Sequence, residues 1–148
     1  MTPTFRVLML TSEWPTPQQP HHAPYLVQQV TFLRRAGIEV DVFPFRGARN
    51  PINYLKAWLR LRHELKNKRY QLLHAQFGQS ALLVWPRRIP LVVTFHGCDL
   101  QGVRHPNGRM SASGWLLQRL CRSVARRADA VIVVSDRMRQ FRRKPHRV

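Results

Sequence analysis

The sequence predicts an α/β protein: an open, doubly wound parallel sheet with helices on both faces. Short runs rich in Val, Leu and Ile alternate with segments of helical periodicity, the pattern of βαβ units. The chain has 148 residues, of which 44% are apolar, enough for one ordinary domain with a real core. Right-handed crossovers then lead to a single sheet, for which the strand order 3-2-1-4-5 is expected.

The first strand is Phe5–Thr11, an apolar run with one arginine. Three prolines between Trp14 and His21 forbid a regular element there. Pro24 can occupy the first turn of a helix, where its missing N–H costs little. Tyr25–Ala36 reads as that helix, with Leu26, Val30 and Leu33 on one face and Gly37 as its stop. Glu39–Phe43 alternates polar and apolar residues and reads as the second strand, ended near Pro44. Ile52–Lys68 is a second helix, with Ile52, Leu55, Trp58, Leu59 and Leu65 expected on its core face. Tyr70–Ala75 is a short third strand. Gly78-Gln79-Ser80 is a turn in which Ser80 is the expected N-cap of a short helix, Ala81–Trp85, cut off by Pro86.

The fourth strand is Leu91–Phe95, a buried-type run that gives way abruptly to His96, Gly97, Cys98 and Asp99. Leu100–Gly114 has loop composition. Trp115–Ala128 is an amphipathic helix, with Leu117, Leu120, Cys121, Val124, Ala125 and Ala128 apolar and Arg119, Arg122 and Arg126 forming a basic stripe. Ala130–Val134 is the fifth strand. Ser135 is then placed to cap a last helix, Asp136–Arg142.

Charge is the unusual quantity. The formal balance is +18, from 25 basic and 7 acidic side chains. Residues 1–45 are neutral, whereas residues 46–73 carry net +7 and residues 100–148 net +10. Such surfaces attract anionic polymers, anionic lipid headgroups or phosphorylated ligands. Arg119, Arg122, Arg126, Lys56, Arg60 and Lys66 are the candidates for a membrane or anion surface. A nucleic-acid surface is disfavoured, because Tyr54, Trp58 and Trp115 sit at helical spacing that suits packing better than base stacking.

Several chemistries lack their residues. No GxGxxG follows the first strand, no GxxxxGK[ST] occurs, and no GxSxG elbow is present. Cys98 and Cys121 form no CxxC pair and imply no disulfide framework. No metal is expected, since the seven His lack ligand spacing with acidic partners and His21-His22 sits in a proline-rich loop expected to be flexible. No run approaches the ~20 apolar residues that span a bilayer, and the start lacks a signal-peptide pattern. A cytoplasmic setting is the expectation, with a peripheral position at the inner face of the membrane open to it.

Ligands of open α/β sheets bind outside the carboxyl ends of the strands. The loops there hold Ser12 and Glu13 after the first strand, Gln76, Phe77, Gly78 and Ser80 after the third, His96, Gly97 and Asp99 after the fourth, and Ser135 after the fifth. This polar set suits a carbohydrate or phosphate ligand better than an apolar one. A strand followed by an ordinary polar turn is the plainer reading of His96–Asp99, since Gly-x-Asp is common turn chemistry.

Taken in order, RVLMLTSEWP, HHAPYLVQQVTFLRRAGIEVDVF, YQLLHAQFGQSA, PLVVTFHGCDL and ADAVIVVSDRMR resemble the N-terminal, Rossmann-like half of a GT-B glycosyltransferase of the family 4 type. The third resembles the family's D-x-(I/V)-H-A-(H/Q)-(Y/F)-G and the fourth its P-x-(V/I)-x-T-x-H-G-x-D. The resemblance implies a retaining transfer from a nucleotide-sugar co-substrate, with no obligatory metal and no resident cofactor. It implies a sugar or lipid-linked acceptor held mainly by this half, and a donor held mainly by a second half with a Glu-x7-Glu motif.

By the same resemblance His96 is the catalytic histidine beside the donor sugar, Gly97 permits close backbone approach, and Asp99 buttresses the loop. Gln76, Gly78, Ser80 and Ser135 join them as substrate-binding candidates. Ala23, Pro24 and Tyr25 occupy the family's Gly-rich loop, where this sequence lacks the glycine pair. No Glu-x7-Glu segment occurs before Val148. Residues 1–148 are therefore expected to form a single acceptor-side domain, inactive until a separate donor-binding domain completes it. A basic peripheral binding module for anionic membranes or polymers is the alternative.

Overall fold

The structure is a computed structural model that describes residues 5–47, 50–97 and 111–136. It contains five strands, β1 (Arg6–Thr11), β2 (Glu39–Pro44), β3 (Leu72–Gln76), β4 (Leu91–Phe95) and β5 (Ala130–Val133). The helices are α1 (Pro24–Arg35), α2 (Pro51–Asn67), a one-turn α3 (Gly78–Ala81) that runs into a 3-10 turn at Leu82–Val84, and α4 (Ala112–Arg127). The doubly wound α/β expectation holds: every strand pair is parallel.

The strand order is β2-β1-β3-β4-β5, not the expected 3-2-1-4-5. Burial explains the difference. β2 alternates charged and apolar residues and ends in a proline, which suits an edge strand. β3 buries His74, Ala75 and Gln76 as well as Leu73, so it belongs in the interior, between β1 and β4. The expected order would have put the charged strand inside and the apolar one at the edge.

Helix α1 covers one face, where Met9, Val30 and Val40 pack with Leu33 and Trp14. Helices α2, α3 and α4 cover the other, over Leu8, Leu10, Leu73, Ala75, Leu91, Val93 and Phe95. Two apolar stripes compete on α2. Ala57 and Leu61 are buried, with Tyr54, Trp58 and Leu65 beside them, whereas Ile52, Leu55 and Leu59 face outward at 60%, 57% and 55% exposure. The expected core face was therefore wrong for those three. Polar anchors select the observed face: Trp58 Nε1 donates to Trp85 O (2.9 Å), Tyr54 Oη to Gln79 Oε1 (2.9 Å), and Arg62 to Val84 O and Pro86 O.

Two helix starts also differ from expectation. Ser80 is not an N-cap, because α3 begins at Gly78 and places Ser80 inside its turn. Helix α4 begins at Ala112, where the Ser111 side chain accepts from Gly114 N (3.1 Å). Within α4, Cys121 and Val124 are buried as expected, while Leu120 is 40% exposed. Most of the expected last helix, Asp136–Arg142, lies outside the described residues.

Candidate functional site

The strand order reverses between β1 and β3, so the carboxyl ends of β1, β3 and β4 frame the crevice where such sheets bind ligands. Parallel register sets the β3 and β4 side chains there, with Gln76 beside Thr94 and His74 beside Val92. Gln76 is fully buried. Its Nε2 donates to Gln29 Oε1 on α1 (2.8 Å) and lies 3.4 Å from His74 Nε2. Its Oε1 lies 3.0 Å from His96 Nε2.

These contacts set the proton position on His96. Gln76 Nε2 donates to Gln29 Oε1 and to Met9 Sδ (3.9 Å), with His74 Nε2 beside it, so its oxygen faces His96 and accepts from His96 Nε2. His74 Nε2 also hydrogen-bonds the Thr94 hydroxyl (2.8 Å). Burial, with the charge of His96 adding to it, pushes the His74 imidazole down to about 4, so it is neutral at ordinary pH.

Aromatic rings flank His96. The Phe77 ring lies 4.4 Å from it, tilted 35°, and the Tyr25 ring 5.3 Å, tilted 51°. Phe77 has φ 71, a region that bulky L-residues rarely adopt. Its backbone N–H donates to Thr94 O (2.8 Å), which ties this strained residue to β4. Tyr25 Oη donates to Glu13 Oε2 (3.1 Å), and Glu13 is held by a turn on Thr11 Oγ1. One half-buried imidazole therefore stands between two rings on a hydrogen-bonded floor, an arrangement suited to holding a sugar hydroxyl. Among the described residues no cluster of three His, Cys, Asp or Glu could hold a metal ion.

The structure brings His96, Gln76 and Tyr25 together. Gly97 follows with φ 125, a conformation that favours glycine, and a Cβ there would meet open space. Ala23 adopts φ 46 just before α1, the left-handed conformation that the missing glycine would take without strain. Pro24 is the first helical residue, with no N–H to offer.

Gly78 and Ser80 face the packed interior instead. A Cβ on Gly78 would lie 2.6 Å from Cys121 Sγ and 2.7 Å from Phe95, and the Ser80 hydroxyl is buried without a hydrogen-bond partner among the described residues. Ser135 is exposed beyond β5, and Asp99 lies outside the described residues. Of the basic candidates, Arg119 lies over the Trp115 ring (4.8 Å) and Arg60 over the Phe43 ring (4.4 Å), where Arg60 also bonds Pro44 O. Lys56, Lys66 and Arg126 are exposed and Arg122 is half-buried. His74, Thr94 and Gln29 were not singled out from sequence, although His74 is the histidine of the H-A-(H/Q)-(Y/F)-G resemblance and alternates with Gln76 on the same face of β3.

A parallel sheet of this order with a polar site at its switch point is a doubly wound α/β architecture, and it matches the N-terminal half of a GT-B glycosyltransferase fold. Sucrose-phosphate synthase from Thermosynechococcus elongatus shares it, with a TM-score of 0.69 at 14% identity over 93% of this chain and 44% of that one. The chain belongs to Glycosyltransferase Family 4, whose model matches residues 4–147. It spans less than half the length of the synthase. No curated protein sequence matches it.

The neutral His74 gives a pH signature. The folded state binds its proton near pH 4 and the unfolded chain near 6.5, so this contribution to stability is complete above 6.5 and falls away as pH drops to 4. About 3 kcal/mol of unfolding free energy is expected to be lost across that window. Denaturant unfolding from pH 7 to 4 should show it, and His74→Asn should flatten the slope; an equal slope in both proteins would contradict the assignment.

Proposed function

We propose that this chain forms the acceptor-binding side of a retaining, nucleotide-sugar-dependent glycosyltransferase, and that a second domain holds the donor nucleotide. The observation that carries this is His96, pinned by Gln76 between Tyr25 and Phe77 at the switch point of a family 4 domain. Glycosyl transfer builds positive charge at the anomeric carbon while the bond to phosphate breaks. An imidazole fixed on a rigid strand end hydrogen-bonds the donor sugar and favours that state through preorganisation rather than through movement.

The test is transfer from nucleotide-sugars by this chain, alone and with a family donor-binding domain, with the anomeric outcome read by NMR. Transfer with retention is expected only from the pair. His96→Ala is expected to lower kcat by about 10²–10³-fold. Robust transfer by the chain alone would refute the division of labour, and unchanged turnover in His96→Ala would refute the role of His96.

A peripheral membrane position is supported by one specific observation. Ile52, Leu55 and Leu59 project outward from α2, and Lys56, Arg60 and Lys66 are exposed on the same helix. Apolar and basic side chains on one outward surface complement an anionic bilayer, into which such a helix partly sinks. No helix among the described residues is long and apolar enough to cross a membrane. Co-sedimentation with phosphatidylglycerol vesicles is expected at low salt, falling as salt rises and lost in Leu55→Glu/Leu59→Glu. Absence of binding at low salt would remove this placement.

A further inference from the structure

Gln29 interrupts an apolar stripe. On α1 the residues that face the sheet follow helical spacing, with Leu26 and Val30 buried and Leu33 packed against the cluster of Met9, Val30 and Val40. Gln29 falls within that stripe, between Leu26 and Leu33, and is half-buried. A carboxamide in such a place is costly unless it is hydrogen-bonded. Its Oε1 accepts from Gln76 Nε2 at 2.8 Å, a bond that joins α1 to the central strand. We infer that Gln29 is a positioning residue for His96. By offering an acceptor to Gln76, it turns the Gln76 amide so that the amide oxygen meets His96 Nε2, and so influences from α1 which imidazole nitrogen is protonated.

A carboxamide occupies nearly the same space with its oxygen and nitrogen exchanged, so packing alone does not hold Gln76 in one sense. Its hydrogen-bond partners must do so. Three groups lie against Gln76 Nε2. Met9 Sδ, at 3.9 Å, is a weak acceptor. His74 Nε2, at 3.4 Å, is farther away than a good hydrogen bond allows and also bonds the Thr94 hydroxyl. Gln29 Oε1 is the strongest acceptor of the three. With it in place, Gln76 Oε1 is left for His96 Nε2 at 3.0 Å, and an amide oxygen can only accept. Without it, only the two weaker contacts oppose the inverted sense. An inverted Gln76 would present an N–H to His96 Nε2 and require that nitrogen to accept, moving the imidazole proton to Nδ1.

The helix holds Gln29 where this bond needs it. Leu26 and Val30 are 0% and 2% exposed, which fixes the rotation of α1 against the sheet. Tyr25 lies one turn before Gln29 on the same side of the helix, and its ring is 5.3 Å from the His96 ring. Helix α1 therefore meets the imidazole twice, once through a ring and once through two amides in series. Its acceptor character, rather than its bulk, is what the second contact requires of Gln29.

The catalytic meaning of this role rests on the transferase reading, whereas the imidazole itself reports the role, so the two fail separately. The test compares the chain with its Gln29→Met and Gln29→Glu variants by ¹⁵N NMR of His96 at alkaline pH, where the ring is neutral. Methionine keeps the length of glutamine and removes the amide; glutamate keeps acceptor oxygens and cannot donate when ionised. The ratio of Nε2-protonated to Nδ1-protonated His96 is expected to fall about five-fold in Gln29→Met, the equivalent of one neutral hydrogen bond, and to stay at or above its original value in Gln29→Glu. In transfer assays with a family donor-binding domain, Gln29→Met should lower kcat about five-fold with KM little changed, and Gln29→Glu should retain kcat. Each variant is decisive alone. An unchanged ratio in Gln29→Met would overturn the inference. So would a ratio in Gln29→Glu as low as that expected for Gln29→Met, which would show that Gln29 only fills space. Absence of transfer from the unsubstituted chain with its donor-binding domain would refute the transferase reading and leave the tautomer result standing.

Discussion

The rest of the site depends on one buried amide. Gln76 sits on the central strand β3 with no solvent exposure, and an amide buried without partners would cost several kcal/mol. Its partners come from four elements: Gln29 on α1, Met9 on β1, His74 on its own strand, and His96 after β4. Satisfying Gln76 therefore ties α1 to the sheet and determines which His96 nitrogen carries the proton. A partly satisfied network at this depth would be worse than an apolar one, so the set stands or falls together.

The charges divide along the same axis. Near the amino-terminal ends of the strands the acids are consumed in pairs: Arg6 with Glu39 and Asp41, Lys68 with Asp41 and Glu64, and Arg87 with Asp129. Burial works to raise the Asp41 carboxyl, but the Tyr70 hydroxyl, Arg6 and Lys68 outweigh it and hold it below its ordinary value. The Lys68 and Tyr70 hydrogen bonds do the same for Glu64. These carboxylates are half-exposed and pin the edge strand β2 rather than stabilise the core. At the opposite end a cleft at the carboxyl ends of β1 and β2 carries Arg46 and Arg60, with no carboxylate among the described residues that line it.

Much of this was legible in the sequence. Five strands, three long helices and the prominence of His96 follow from periodicity and from the abrupt end of Leu91–Phe95. The strand order did not follow, although the charged alternation of β2 against the apolar β3 holds the clue. The face of α2 escaped because it carries two apolar stripes, and Trp58, Tyr54 and Arg62 choose between them through contacts with residues more than 20 positions away. The pairing of Gln76 with His96 has no local signal either, since it arises from β3–β4 register. Nor does a phenylalanine announce a positive φ, so nothing in the sequence marks the backbone of Phe77.

The most direct test of this account is the proton position on His96, measured by ¹⁵N NMR of the imidazole at alkaline pH, where the ring is neutral. Donation from Nε2 to the Gln76 oxygen predicts the tautomer protonated at Nε2, and loss of that preference in Gln76→Met. A His96 protonated at Nδ1, or a tautomer indifferent to Gln76, would contradict the claim that the buried amide sets the state of the site.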